Sequence, residues 1–401
     1  MKTNHKLLSL SIIVLVSFTL SAAAPAVVID ATKFKSLQAA LDAVPAGGGL
    51  VKLPPGIFEL TEPLRVHTED TRLEGAGPAT HLINKNEKGE PALLLCAKDY
   101  AKSKTKLWRI QLGNLRISGN PNSGDGVLAE GIQEIFVKGV SIDHNGGHGI
   151  NLVNCYEDPR ISDNILTYNG KAGLNIQGGH DIVVNANQFE ENQDGLRCLD
   201  SFNLTMNGNN FDDHLRHGVV IENTYGSVLS GNMIEECNGT AVILDRDCYG
   251  ITISANVIAH ELGGGVDLRD AWGCAVSANT FTLVHQFGVR VGKDSGRITI
   301  TGNNFCNSHI GDGVRRVAGK GRTLWHNDEG TGVVLNNTKT VAITGNTFTG
   351  MSRGAVESTG KCERILVMGN IFYDLNRRSK KNLPAVSLPG ALNTIVKDNL
   401  K

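Results

Sequence analysis

One asparagine recurs along most of this chain. It sits in Ile161-Ser-Asp-Asn164-Ile-Leu, Val184-Asn-Ala-Asn187-Gln-Phe, Met206-Asn-Gly-Asn209-Asn-Phe, Leu229-Ser-Gly-Asn232-Met-Ile, Ile253-Ser-Ala-Asn256-Val-Ile and Val276-Ser-Ala-Asn279-Thr-Phe. It returns in Ile300-Thr-Gly-Asn303-Asn-Phe, Ile343-Thr-Gly-Asn346-Thr-Phe and Val367-Met-Gly-Asn370-Ile-Phe. The step is about 23 residues, except for about 43 between Asn303 and Asn346. A second signal follows each asparagine: Gly173-Leu, Gly218-Val, Gly265-Val, Gly288-Val and Gly332-Val. Each unit therefore holds three short β-runs joined by turns. Such a unit cannot bury its apolar face alone, so units must stack. The expected fold is all-β: a parallel β-helix, with equivalent residues about 4.8 Å apart from coil to coil. The asparagines then form an internal amide ladder, and Phe189, Phe211, Phe281, Phe305, Phe348 and Phe372 stack in the core.

Composition limits the function classes. The 401 residues carry 39 Lys+Arg against 40 Asp+Glu, so binding nucleic acid by bulk positive charge is excluded. Residues 1–26 read as an export signal: Lys2 and Lys6, an apolar run from Leu7 to Leu20, then Ser21-Ala-Ala-Ala-Pro-Ala26. No other stretch is apolar enough to cross a membrane, so residues 27–401 are expected as one secreted or periplasmic, monomeric β-helix domain. Its eight cysteines fall after the signal and show no metal-finger spacing. The expectation is buried thiols, Cys198 at an inward position, with room for one or two disulfides.

Residues 27–110 are read as an N-terminal cap and first coils, and 111–401 as regular coils. Phe34 to Val44 has helical apolar spacing and precedes Pro45-Ala-Gly-Gly-Gly. Leu50-Val-Lys-Leu-Pro-Pro-Gly-Ile-Phe-Glu-Leu and Thr71-Arg-Leu-Glu-Gly-Ala-Gly look like first strands. A helix there can cover the open end of the bore. This opening and the coils behind it resemble the pectate-lyase-like superfamily of right-handed β-helix proteins. The resemblance spans the mature chain and implies a fold, while activities in that superfamily range over lyases, hydrolases, epimerases and non-catalytic adhesins.

The long step after Asn303 implies a loop inserted near 308–329, and the last full coil has extra residues with Arg377, Arg378, Lys380 and Lys381. Loops of this kind wall clefts on a rigid scaffold. In the resembled superfamily the substrate lies along the strand after this turn, which makes the Gly-Val strand the cleft floor. Alternation then puts Asn151, Asn175, Arg197, Val220, Ile243, Asp267, Arg290, Val334 and Glu357 outward. Two positions on it puts out Gln177, Leu199, Glu222, Asp245, Arg269 and Asn336. Asp194 and His217 fall in matching columns of adjacent coils. Glu222 and Asp245 stack as like charges and need an arginine, a cation or a shared proton. His144, His148, His180, His260 and His285 read as surface or turn residues.

Two family motifs bear on chemistry. Gly147-His148-Gly149-Ile150 is similar to an element of polygalacturonase-type hydrolases, which need paired aspartates, whereas only Asp125 precedes it here. Asp194-Gly195-Leu196 followed by Arg216-His217-Gly218-Val219 is similar to the cleft of alginate C5-epimerases. That family's catalytic Asp-Pro-His is replaced here by Asn175-Ile176-Gln177. The resemblance implies an acidic polysaccharide as partner. The reading is a β-eliminating lyase, with His217 as base or acid, Asp194 orienting it, and Asp245 and Asp267 as the acid pair. Arg197, Arg216, Glu222, Arg269 and Arg290 line the substrate, the arginines gripping uronate carboxylates. Ca²⁺ held by Glu222, Asp245 and Asp267 is another way to neutralise the carboxylate, though no dedicated calcium loop is present. A C5-epimerase, a polygalacturonase-type hydrolase and a non-catalytic carbohydrate-binding solenoid are the alternatives.

Overall fold

The computed structural model describes residues 27–306, 330–379 and 381–401, together with the backbone of Val314–Ala318 and Arg322–His326. The expected export signal and Lys380 lie outside the described residues.

Each coil supplies three strands, for example Ala172–Gly179, Val183–Asn185 and Gln188–Glu190. The next coil repeats them as Asp194–Phe202, Thr205–Asn207 and Asn210–Asp212. Strands pair parallel and in register, with Leu174 beside Leu196, Val184 beside Met206 and Phe189 beside Phe211. The bore fills with these equivalent apolar residues: Leu174, Leu196, Val219, Val242, Val266 and Val289 are all fully buried. The phenylalanines stack as expected, Phe189 on Phe211 and Phe281 on Phe305 both at 4.6 Å between ring centroids. Ile234 and Ile258 fill the same column between them. Each such buried ring or branched chain contributes roughly 2–3 kcal/mol.

The amide ladder runs from Asn164 to Asn399. Each Nδ2 donates to the next Oδ1, at 3.0 Å from Asn187 to Asn209 and 2.9 Å from Asn209 to Asn232. The residue before each asparagine turns the chain through the left-handed region. Glycine takes this place at 208, 231, 302, 345 and 369, whereas Ala186, Ala255 and Ala278 adopt φ of 54–55° there.

A second interior line was not legible as a repeat. Asn145 donates to Asn169 at 3.0 Å and Asn169 to Asn192 at 2.9 Å. The following coils put His214, Cys237 and Glu261 in that column, all fully buried. Among the described residues, neither His214 nitrogen and neither Glu261 carboxylate oxygen has a hydrogen-bond partner of good geometry, though Asn192 lies close to His214 and Cys237 to Glu261.

Three expectations need adjustment. The first α-helix is Leu37–Asp42, shorter than Phe34 to Val44; Ser36 caps it by accepting from Ala39 N at 3.1 Å, and Phe34 stays 36% exposed. All eight cysteines are free thiols, so the disulfides allowed by their even number do not form. Burial pushes the Cys155 thiol up to about 12 and Cys198 to about 11, which keeps both protonated. The insertion near 308–329 contains an antiparallel hairpin, Val314–Ala318 with Arg322–His326, while the coil closes around it as Phe305 pairs with Phe348.

Candidate active site along the outer row

The Gly-Val strands carry the row that the alternation requires. Asp194 pairs in register with His217, Glu222 with Asp245, and Asp267 with Arg290. The nine residues singled out from the sequence lie on one side of consecutive coils. They form two charged clusters flanking an apolar saddle, Val220 and Ile243, which point outward by register yet are 6% and 1% exposed.

In the first cluster Arg216 holds both oxygens of the buried Asp194 through Nε and Nη2, with Nε to Oδ1 at 2.7 Å. Arg197 reaches Asp194 at 3.3 Å and Glu222 at 2.8 Å. In the second, Arg290 donates to both oxygens of Asp267 at 2.8 and 2.5 Å, and Arg269 bonds Asp267 at 2.7 Å while lying 3.6 Å from Asp245. The Glu222–Asp245 repulsion is relieved by arginine. Burial alone pushes the Asp194 carboxyl up, but the Arg216 bond and charge outweigh it and leave the group below the usual carboxylate range.

Several assigned roles change. Asp267 has no exposed surface and both its oxygens are held, so it does not face the cleft as half of an acid pair with Asp245; Arg269 stands between them. Guanidinium groups hold both Asp267 oxygens and Glu222 Oε2, so Glu222, Asp245 and Asp267 do not offer Ca²⁺ a full set of carboxylate ligands. A tighter acidic trio, Asp212, Asp213 and Glu236, has ligand atoms within 4.8 Å of one another, but it lies at the turn, away from this row. The Arg216 and Arg290 forks are engaged internally, which leaves Nη1 of each for a ligand. Among the described residues Glu222 Oε1 has no hydrogen-bond partner, since Arg197 bonds Oε2.

Asp194 does not orient the His217 ring. Its Oδ1 accepts from the His217 backbone N–H at 3.2 Å, while ring Nδ1 accepts from Thr240 N–H at 3.0 Å. A backbone N–H can only donate, so Nδ1 carries a lone pair and the neutral ring holds its proton on Nε2. Burial also lowers the His217 pKa. His217 is therefore a neutral hydrogen-bond donor, and not a base, in this geometry.

The same device occurs earlier in the column, where His148 was read as a turn residue. Asp125 Oδ1 accepts from His148 N–H at 2.7 Å, and His148 Nδ1 accepts from Ala172 N–H at 3.1 Å. His148 lies two coils ahead of Asp194 and three ahead of His217 in one register line. Three rungs amount to roughly 14 Å. Asp125 is held by Asn151 at 2.8 Å in place of arginines. The shared offset of Asp125, His148, Asp194 and His217 from their strand starts was the signal available in the sequence.

The family described as right handed beta helix region matches residues 103–258, 155–305 and 217–379. Solved structures of similar fold include a mutant of the periplasmic alginate epimerase AlgG, 13% identical, with a TM-score of 0.56 over 93% of this chain and 84% of that one. Bacteriophage CBA120 tailspike protein 3 aligns at 12% identity and TM-score 0.55, over 90% of this chain and 61% of its own. The catalytic unit of the GH87 alpha-1,3-glucanase from Streptomyces thermodiastaticus aligns at 14% and 0.51, over 96% and 71%. No curated protein matches the chain by sequence.

Proposed function

The chain belongs to the right-handed β-helix family, and from that premise we propose that it is an exported enzyme that cleaves an acidic polysaccharide by β-elimination. No helix among the described residues is long and apolar enough to cross a membrane. The observation that carries the reading is the row itself: the Asp–His device stands twice in one register line, followed by paired acids and arginines on the same face. A linear chain laid along the solenoid meets these groups in sequence. Fold neighbours named as an alginate epimerase and a glucanase support a polysaccharide as the partner.

Elimination from a uronate needs a neutralised carboxylate, so that the C5 proton becomes acidic, and a base to remove it. His217 Nε2–H and Arg216 Nη1 supply donors for the carboxylate. Glu222 Oε1, on the His217 strand, takes the C5 proton. The C5–H electron pair becomes the C4=C5 double bond as the C4–O bond breaks. Protonated Glu222 then returns its proton to the departing oxygen, which balances the step. Asp194 fixes the His217 backbone and Arg216, and Arg197 holds Glu222 in place.

The test is a panel of alginate and polygalacturonate. A lyase generates unsaturated ends that absorb in the ultraviolet. Glu222→Gln should lower kcat/KM by about 10³-fold and His217→Ala by about 10²-fold. New reducing ends without absorbance mean hydrolysis, inverted C5 stereochemistry without cleavage means epimerisation, and binding without turnover means a non-catalytic solenoid. Full turnover in His217→Ala would place the chemistry elsewhere.

A further inference from the structure

Beside the row, at the turn before the Gly-Val strand, lies a cavity of ≈ 870 Å³. Its floor includes Gly146 and Gly170, on adjacent coils and each two residues before the column of His148 and Ala172. A Cβ at Gly146 would come within 2.5 Å of the carbonyl oxygens of Pro121 and Ser123, and one at Gly170 within 2.6 Å of Gly146 O. That floor is therefore bare peptide. Tyr168 and Leu215 line the cavity at 43% and 47% exposure, and Asn120 and Asn238 add amides.

His144 lines the same space, with its ring stacked on Tyr168 at 5.0 Å between centroids. Its state is the reverse of His217. Ring Nδ1 lies 2.8 Å from Asp143 Oδ1, and that carboxylate also receives Arg116 Nε at 3.0 Å and Ser118 Oγ at 2.9 Å. Burial pushes the Asp143 carboxyl up, but the bonds from Arg116, His144 and Ser118 bring it below its ordinary value, so it stays an acceptor. His81 Nε2 donates to Ser118 at 2.8 Å and closes the chain from behind. An acceptor at Nδ1 places a ring proton there, and in the neutral ring this leaves a lone pair on Nε2, which no described residue engages.

We propose that this cavity is a second carbohydrate site, distinct from the row, and that it takes uncharged pyranose units with a sugar hydroxyl donating to His144 Nε2. A pyranose offers an apolar C–H face to Tyr168, Leu215 and the flat floor, and a rim of hydroxyls to the amides. The charge around the cavity argues against a uronate. Glu191 lines it, Asp143 stands behind His144, and the Arg116 guanidinium is bound to Asp143. The size is that of pockets holding small organic ligands.

Calorimetric titration of the full chain tests this with four tetrasaccharides: α-1,3-linked glucose, β-1,4-linked glucose, β-1,4-linked mannose and mannuronate. At least one uncharged tetramer should bind. Tyr168→Ala and His144→Ala should each weaken it tenfold or more with an unchanged melting temperature, and His217→Ala should leave it intact. Asp143→Asn, whose amide can donate to Nδ1, should move the ring proton to Nε2 in ¹⁵N spectra and weaken binding similarly. Failure of all uncharged tetramers, or preference of this site for mannuronate, overturns the proposal. Loss of the same binding in His217→Ala would also overturn it, by merging the site with the row. Mannuronate binding that depends on His217 tests the lyase reading separately.

Discussion

The bore and the outer wall use one register in opposite ways. Inside, the same amide stands on itself from Asn164 to Asn399. Outside, Asp194, Arg197, Arg216 and Glu222 interlock, and after the Asn151–Asn175 pair the residue type in that column changes to Arg197, Val220, Ile243, Asp267 and Arg290. The difference is chemical. An amide carries donor and acceptor together, so identical residues satisfy each other at every rung. A carboxylate only accepts and a guanidinium only donates, so a charged wall must alternate. Unbroken repetition marks what holds the solenoid together, and broken repetition marks where something else can be met.

The largest break in this contrast should come from Asn232→Ala. It strips Asn209 of its acceptor and leaves the Asn256 and Met206 oxygens without its amide donor. A loss of about 4 kcal/mol is expected in urea unfolding. On the wall, Asp267→Ala leaves Arg269 and Arg290 without their buried counter-charge; the partial exposure of both guanidiniums limits the expected loss to about 2–3 kcal/mol.

The second interior column sharpens the comparison, because there the amide line ends at His214. Burial depresses His214 to about 4 from 6.5. Below pH 6.5 the unfolded chain takes up a proton that the folded chain refuses until about pH 4. Stability is therefore complete above 6.5 and falls through that window by on the order of 3 kcal/mol. Glu261 has the opposite sign: burial raises it, so its neutral form favours folding at low pH, and stability falls as pH rises above the unfolded carboxyl value. His214→Asn should extend the amide line from Asn192, abolish the acid-side loss, and add about 1–2 kcal/mol at neutral pH in urea midpoints across pH 4–7. The smallest effect expected is Ala278→Gly. It relieves a left-handed alanine and should raise stability by about 1 kcal/mol, read as a shift in melting temperature.

The fold was legible because Asn164, Phe189 and their equivalents repeat at one interval and identify the rung. The same interval correctly placed Asp194 beside His217 and Glu222 beside Asp245. It did not reveal which guanidinium reaches which carboxylate, since Arg216 and Arg290 lean across to the preceding coil. Nor could it give the His217 proton, which is fixed by the backbone N–H of Thr240. The line Asn145, Asn169, Asn192 escaped notice because it changes chemistry after three coils. The His144 cavity is shaped by turns, whose path no periodicity encodes.

The hydrogen bond from the Asn303 amide to Asn346 Oδ1 spans 43 positions of chain yet measures 3.0 Å, the same as those across ordinary coils. The rung thus closes without regard to what is looped out between Cys306 and Gly330. That junction works as a socket: about 20 extra positions enter there while the spine stays zipped. A lineage, or a protein engineer, could remodel the rim of this molecule as an interchangeable attachment and leave its backbone untouched.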